Sequence, residues 1–178
     1  MTADEFYRMP DPSNGSKQEL VKGVVISFPI AGLEHGRIQG NASALINLFV
    51  RPLKLGRVAI GSGVVSERNP DSVRGPDVSF YSKERLPPGL QVVGYHDRPP
   101  DLCVEVLSPC DTKIEIARKT GEYFTAGVRT VWIIDPEDRS ISLFPRVNQV
   151  QVIQEPGELS GGDVLPGFSC RVSELFDE

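Results

Sequence analysis

The sequence predicts an α/β chain of the mixed, α+β kind: a central β-sheet built mostly from hairpins, with one strand–helix–strand crossover inside it and helices on its faces. Three observations carry that expectation. Fifteen prolines and seventeen glycines spread over 178 residues favour short strands and turns over long helices. Alternating apolar segments near each end of the chain are joined by turn residues, as antiparallel hairpins require. Between them the apolar run Leu102–Leu107, an amphipathic stretch after Pro109 and a second apolar run Val128–Ile134 give strand, helix and strand in the order of a right-handed parallel crossover.

In chain order, residues 3–8 suit a short helix stopped by Met9-Pro10-Asp11-Pro12. Gln18–Val21 and Val24–Phe28 alternate as hairpin arms around the two-residue turn Lys22-Gly23, with Glu19 in the first arm. From His35 to Val50, residues Ile38, Ala42, Leu45, Ile46 and Phe49 keep helical spacing; Arg37, Asn41 and Asn47 lie off that stripe, and Pro52 closes it. Arg57–Ile60 and Gly63–Ser66 are short strands whose glycines suggest a bend or bulge. Asn69-Pro70-Asp71 is a turn, and Asp77–Tyr81 is the next strand. Its Asp77, Ser79 and Tyr81 share one face, while Val78 and Phe80 share the other.

Lys83–Arg98 reads as loop, with Leu90–Val93 as a candidate minor strand. The strand Asp101–Ser108 follows, bounded by prolines on both sides. Ser108-Pro109 has the form of a helix entrance, and Gly127 is placed to end that helix in the left-handed region. Ile116, Lys119 and Tyr123 lie three and four residues apart, so Lys119 sits on a largely apolar ridge. Val128–Ile134 is strand-prone and ends at Asp135-Pro136; Ser140–Phe144 and Val150–Ile153 form a final hairpin. No internal repeat or low-complexity segment is present.

The length suits one domain, residues 1–178, with a core that needs no covalent staples. Cys103, Cys110 and Cys170 form no CxxC pair and have no histidine nearby, so they read as reduced thiols rather than a disulfide frame or zinc site. The first residues carry no basic cap or apolar core of a secretory signal, and no segment has the apolar length of a membrane span. A soluble, cytoplasmic protein is expected. The net charge of −5 argues against a general basic coat for nucleic acid. Its distribution permits a local positive face, because Arg37, Arg51, Lys54 and Arg57 fall in a stretch free of acids while the chain beyond Glu155 is mostly acidic.

The chemical anomaly is Glu105. Valines flank it in a strand that reads as covered on both faces, where an ionised carboxylate costs several kcal/mol unless a cation or donor offsets it. A buried pair with Arg74 or Arg118 is one resolution. A divalent ion shared with Asp77 on a neighbouring strand is another, since Mg²⁺ takes hard oxygen ligands from one or two carboxylates, waters and phosphate. Asp77 taken alone is also ordinary turn chemistry after Gly75-Pro76. Lys119 can supply a cation near both acids, or can snorkel along its helix ridge. His35 reads as a capping or packing residue, His96 as a loop residue without a partner, and Trp132 as core. The sequence holds no GxSxG elbow and no glycine-rich phosphate loop.

Taken together, Arg74-Gly75-Pro76-Asp77-Val78-Ser79-Phe80, then Pro100-Asp101-Leu102-Cys103-Val104-Glu105-Val106-Leu107-Ser108-Pro109, then Lys119, Tyr123 and Gly127-Val128 through Trp132 to Pro136 resemble the Uma-two family of restriction endonucleases, within the PD-(D/E)XK nuclease superfamily. Gln18–Gly23 and His35 resemble that family's opening hairpin and first long helix. The resemblance implies a restriction-endonuclease-like core, a mixed central sheet flanked by helices, and Mg²⁺-dependent cleavage of DNA, with Mn²⁺ as the alternative ion. It implies Asp77, Glu105 and the Val106 carbonyl as metal ligands, Glu19 as a further acidic ligand, and homodimers. The superfamily lysine would stand at Leu107, so Lys119 on the following helix takes its place.

On these expectations a water activated at the ion attacks phosphorus in line, Lys119 positions it or steadies charge, and Arg37, Arg74, Lys113 or Arg118 contact phosphates. Two other readings stand beside that one: a nuclease fold kept for DNA binding or dimerisation without cleavage, and a hydrolase of smaller phosphodiesters.

Overall fold

A computed structural model describes all 178 residues. The chain opens with α1 (Ala3–Tyr7), then the hairpin β1 (Lys17–Val21) and β2 (Val24–Phe28), then α2 (Leu33–Val50). Four strands follow: β3 (Gly56–Ile60), β4 (Val64–Glu67), β5 (Ser72–Arg74) and β6 (Val78–Ser82). Next come β7 (Leu102–Val106), α3 (Lys113–Ala126), β8 (Thr130–Asp135), and the hairpin β9 (Ser140–Arg146) and β10 (Gln149–Gln154). The chain ends with β11 (Glu158–Ser160), β12 (Ser169–Arg171) and α4 (Ser173–Phe176).

Six strands make the central sheet, in the order β10-β9-β8-β7-β6-β3. It is mixed, as the sequence predicts: β7 and β8 are parallel and joined through α3, and every other seam is antiparallel. Alternation along β7 sorts the core. Leu102, Val104 and Val106 point into the main apolar cluster with Ile38, Ala42 and Ile46 of α2. Cys103 packs on the opposite side with Tyr123 of α3 and with Val131 and Ile133. The two long helices therefore cover opposite faces of one sheet, and Glu105 falls on the α3 side with Cys103.

A second, four-stranded antiparallel sheet in the order β2-β1-β5-β4 lies beside the first. Sequence spacing shows the β1–β2 hairpin but not this sheet, because β5 has three residues and reads as the tail of a turn. Leu20 and Val73 of that sheet pack with Ala3 and Phe6 of α1 in a small cluster of their own. No helix is long and apolar enough to cross a membrane.

Three local expectations are corrected. Leu90–Val93 forms no strand, and residues 83–101 carry no helix or strand. α3 begins at Lys113 rather than after Ser108: Thr112 is its N-cap, its hydroxyl accepting the Glu115 N–H at 3.2 Å. Ser108 is instead fastened to Asp111, whose Oδ2 accepts its N–H and its hydroxyl at 2.8 Å each. Asp77 stands one residue before β6 rather than within it. Gly127 does end α3 in the left-handed region, at φ +101°.

Candidate active site

Val78 pairs with Val104 across the β6–β7 seam. The next residues out, Asp77 and Glu105, therefore face one another where the strands part. The Val106 N–H donates to Asp77 Oδ2 at 2.8 Å and ties the acid to the end of β7. No arginine intervenes: the cation beside Glu105 is Lys119, with Nζ 2.9 Å from Oε1. Tyr123, one turn further along α3, donates its hydroxyl to the same oxygen.

Lys119 Nζ also lies 3.3 Å from Glu19 Oε1 on β1. Glu19 in turn accepts the Gly75 N–H at 3.1 Å and Arg74 Nη1 at 2.8 Å. Arg74 is fully buried; its Nε and Nη2 reach both oxygens of Glu122 at 2.6 and 2.9 Å. A continuous charged network thus runs from Glu105 through Lys119 and Glu19 to Arg74 and Glu122. It bolts α3 to both sheets. This removes Arg74 from the candidate phosphate contacts, since no face of its guanidinium meets solvent. Arg37 is also committed elsewhere, donating to the backbone carbonyls of Phe176 and Asp177, and Arg118 pairs with Glu115.

Asp77 has two side-chain partners of its own. Lys17 Nζ stands 3.3 Å from Oδ1 and His35 Nε2 stands 3.2 Å from Oδ2. Gln39 of α2 donates to the Asp77 backbone carbonyl at 2.9 Å. These contacts were not legible in the sequence, because Lys17 and His35 reach Asp77 across 60 and 42 positions and neither has a local pattern. Tyr123 was within reach of sequence reasoning, since its spacing from Lys119 puts both on one helix face.

Environment separates the two acids. Burial pushes the Glu105 carboxyl above the ordinary range; Lys119 opposes that and Asp77 adds to it. Asp77 is buried too, but the hydrogen bond from His35, the Lys17 charge and the Val106 amide outweigh burial and hold its carboxyl below the usual value. Burial likewise works against the Glu19 charge, and Lys119 with Arg74 and the Gly75 amide overcomes it. The Lys119 ammonium is penalised by burial, yet Glu105 and Glu19 raise its pKa, so it stays charged at neutral pH. His35 is shifted upward chiefly by its hydrogen bond to Asp77.

The donor set suits a hard divalent cation. Two carboxylates and a backbone carbonyl, those of Asp77, Glu105 and Val106, are the protein share that Mg²⁺ takes when water and phosphate complete its shell. A carboxyl whose ionisation burial disfavours is also one that an added cation would stabilise. No group of three or more histidine, cysteine or acidic side chains closes around a common point, so the arrangement lacks the all-side-chain cage of a structural zinc site. Both Glu19 oxygens are taken up by Arg74, Gly75 and Lys119.

The sequence matches the family Uma2, described as "Putative restriction endonuclease", over residues 3–173. A crystal structure described as a "putative nuclease" from Anabaena variabilis ATCC 29413 superposes with a TM-score of 0.84 at 22% identity, over 99% of this chain and 97% of that one. At that identity the likeness is one of fold, and it extends to the whole arrangement of sheets and helices. No curated protein matches the chain. The matched span takes in every element that carries Glu19, Asp77, Glu105 and Lys119, and on that match the chain belongs to the Uma2 family.

Proposed function

We propose that this chain, acting as one domain, is a divalent-metal-dependent DNA endonuclease of the PD-(D/E)XK type. The observation that carries the proposal is the convergence of Asp77, Glu105 and Lys119 from three elements, with Glu105 Oε1 2.9 Å from Lys119 Nζ and Asp77 held by the amide of Val106. Asp77, Glu105 and the Val106 carbonyl would hold Mg²⁺ or Mn²⁺, which when bound supplies Lewis-acid stabilisation of the charge developing in phosphoryl transfer.

The rest of the chemistry falls to the chain itself. Lys119 has three N–H donors, and its contacts with Glu105 and Glu19 leave one to orient an attacking water and steady charge on the phosphoryl oxygens. Tyr123 fixes the Glu105 rotamer through the hydroxyl it donates to Oε1. Glu19 acts by holding Lys119, and Arg74 by holding Glu19. Homodimerisation and a cytoplasmic location belong to the same proposal.

Plasmid incubated with the protein and Mg²⁺ or Mn²⁺ tests it. The wild type is expected to nick or linearise the DNA, EDTA to stop it, and Asp77→Ala and Glu105→Ala each to lower the rate by roughly a thousandfold, the scale of losing an electrostatic element of a transition state. Cleavage that persists in both variants would refute the assignment. The second reading, a nuclease fold retained for DNA binding, draws support from Leu107 in the superfamily lysine position and from Lys17 and His35 already occupying the two Asp77 oxygens. DNA binding without metal-dependent cleavage would establish it.

A further inference from the structure

Beside the candidate site lies a cleft of about 380 Å³, lined by Phe6, Tyr7, Lys17, Gln18, Gly63 and Tyr95 among others. Lys17 belongs to both places, since it lines the cleft while its ammonium stands 3.3 Å from Asp77 Oδ1. A strand whose phosphate reached Asp77 and Glu105 would therefore place a neighbouring nucleotide within reach of this cleft.

Three aromatic rings are assembled there. Phe6 and Tyr95 lie nearly parallel, with centroids 6.2 Å apart and 27° between planes; Tyr7 meets Tyr95 edge-on at 5.5 Å and 75°. Phe6 is core, packed with Leu20 and Val73. Tyr7 is not: half of its surface is exposed. The backbone has made room for the arrangement. A Cβ on Gly63 would come within 2.2 Å of the Tyr95 ring, and Gly94, at φ +83°, lets the loop lie against Tyr7. That loop, residues 83–101, is far longer than a simple connection needs, a length associated with binding function.

We infer that this cleft receives an unpaired base of the DNA strand being cut, stacked against Tyr7, with Lys17 taking the adjacent phosphate. The inference rests on the nuclease reading and names its substrate class: single-stranded DNA, or duplex with an extruded or unpaired nucleotide. An aromatic surface reads the π-face that every base has and that a paired duplex hides within its stack. The chain's charge points the same way. A net charge of −5, with Asp11 beside the one lysine at the cleft and Arg74 sealed inside, is poorly suited to gripping the many phosphates of a long duplex. Gln18, in the same wall, supplies an amide that can meet a base edge.

The test is binding, measured by fluorescence anisotropy with Ca²⁺ in place of Mg²⁺ so that nothing is cut. Three probes of one sequence are used: a labelled 12-nucleotide single strand, the same strand in a perfect duplex, and that duplex with a central unpaired nucleotide. The wild type is expected to prefer the first and third. Tyr7→Ala should weaken both by about tenfold, the loss of one stacked base, and leave the perfect duplex unchanged, while Tyr7→Trp retains binding. Equal affinity of the wild type for all three probes, no binding to any, or Tyr7→Ala binding like the wild type would each overturn the cleft. The two readings fail separately. Plasmid cleavage that needs Asp77 and Glu105, with Tyr7→Ala silent in binding, removes the cleft and keeps the nuclease. Tyr7-dependent binding by a protein that cuts nothing keeps the cleft and removes the nuclease.

Discussion

Lys119 carries its charge into a volume from which water is nearly excluded, where burial alone would drive its proton off. Two buried carboxylates reverse that, and its pKa ends above the ordinary lysine value. Replacing it with methionine keeps the stem's packing and strands Glu105 and Glu19 without their shared cation. Glu19 retains Arg74 and the Gly75 amide; Glu105 retains little beyond Tyr123. We therefore expect Lys119→Met to lose about 3 kcal/mol of stability at neutral pH, the scale of breaking a buried pair. Glu105 already titrates above its unfolded value, and without Lys119 it should titrate higher still. A carboxyl with a raised folded pKa favours the native state while protonated and loses that advantage as pH rises through the folded value. The deficit relative to wild type should thus shrink toward acid pH. Urea melts of both proteins across pH 4 to 8 would check this, and a pH-independent deficit would contradict it. Of the residues around this lysine, Glu105 was legible because an apolar strand with proline boundaries puts an acid where apolar residues belong. Asp77, ordinary turn chemistry after Gly75-Pro76 and one residue short of β6, gained meaning only from the motifs taken together. His35 was not legible, since a lone histidine acquires meaning only when a partner from a distant element closes on it; Arg74, expected as a buried partner of Glu105 or a phosphate contact, pairs instead with Glu19 and Glu122.

At the scale of elements, α3 is attached to the β1–β5 sheet through charge as well as through apolar packing. Arg74 is the rivet: its guanidinium spans Glu19 on β1 and Glu122 on α3 with no exposed surface. Arg74→Met removes the cation and leaves two acids facing one another in low dielectric, so a loss of about 3–5 kcal/mol is expected. Because that change also frees Glu19 from its tether, Lys119 should be less firmly placed. The rate under Mg²⁺ should then fall even at temperatures where the variant is fully folded by circular dichroism. A folded variant with wild-type cleavage would show that the network serves stability alone. The same elements show where sequence reasoning stops. The crossover β7–α3–β8 was readable because its two strands are continuous apolar runs and Gly127 marks the helix end. The second sheet was not, because β5 pairs with β1 through a single register position, Leu20 with Val73, and no short-range pattern encodes that. The start of α3 was misread for a related reason. Ser108-Pro109 has entrance chemistry, but Asp111 captures Ser108 and the cap passes to Thr112.

For the molecule as a whole, the proposed function asks a chain of net charge −5 to approach a polyanion. The positive groups nearest the candidate site are mostly spoken for: Arg74 is sealed inside, Arg118 is paired with Glu115, and Lys119 lies between two acids. Lys17, which touches Asp77 yet keeps more than a third of its side chain in solvent, is the cation at the rim, and Lys113 is exposed at the first turn of α3. Binding should therefore depend on few phosphates and on stacking, which salt does not screen. For a single strand each neutralised phosphate contributes about −0.7 to the slope of log affinity against log salt concentration. Two contacts at most predict a slope no steeper than about −1.5, and Lys17→Ala should flatten it by about 0.7. Anisotropy titrations of the labelled single strand at a series of KCl concentrations, with Ca²⁺ held constant, measure both quantities. A slope of −5 or steeper would mean a broad basic footprint that this charge distribution does not provide, and would instead require a second subunit or a larger surface to be holding the DNA.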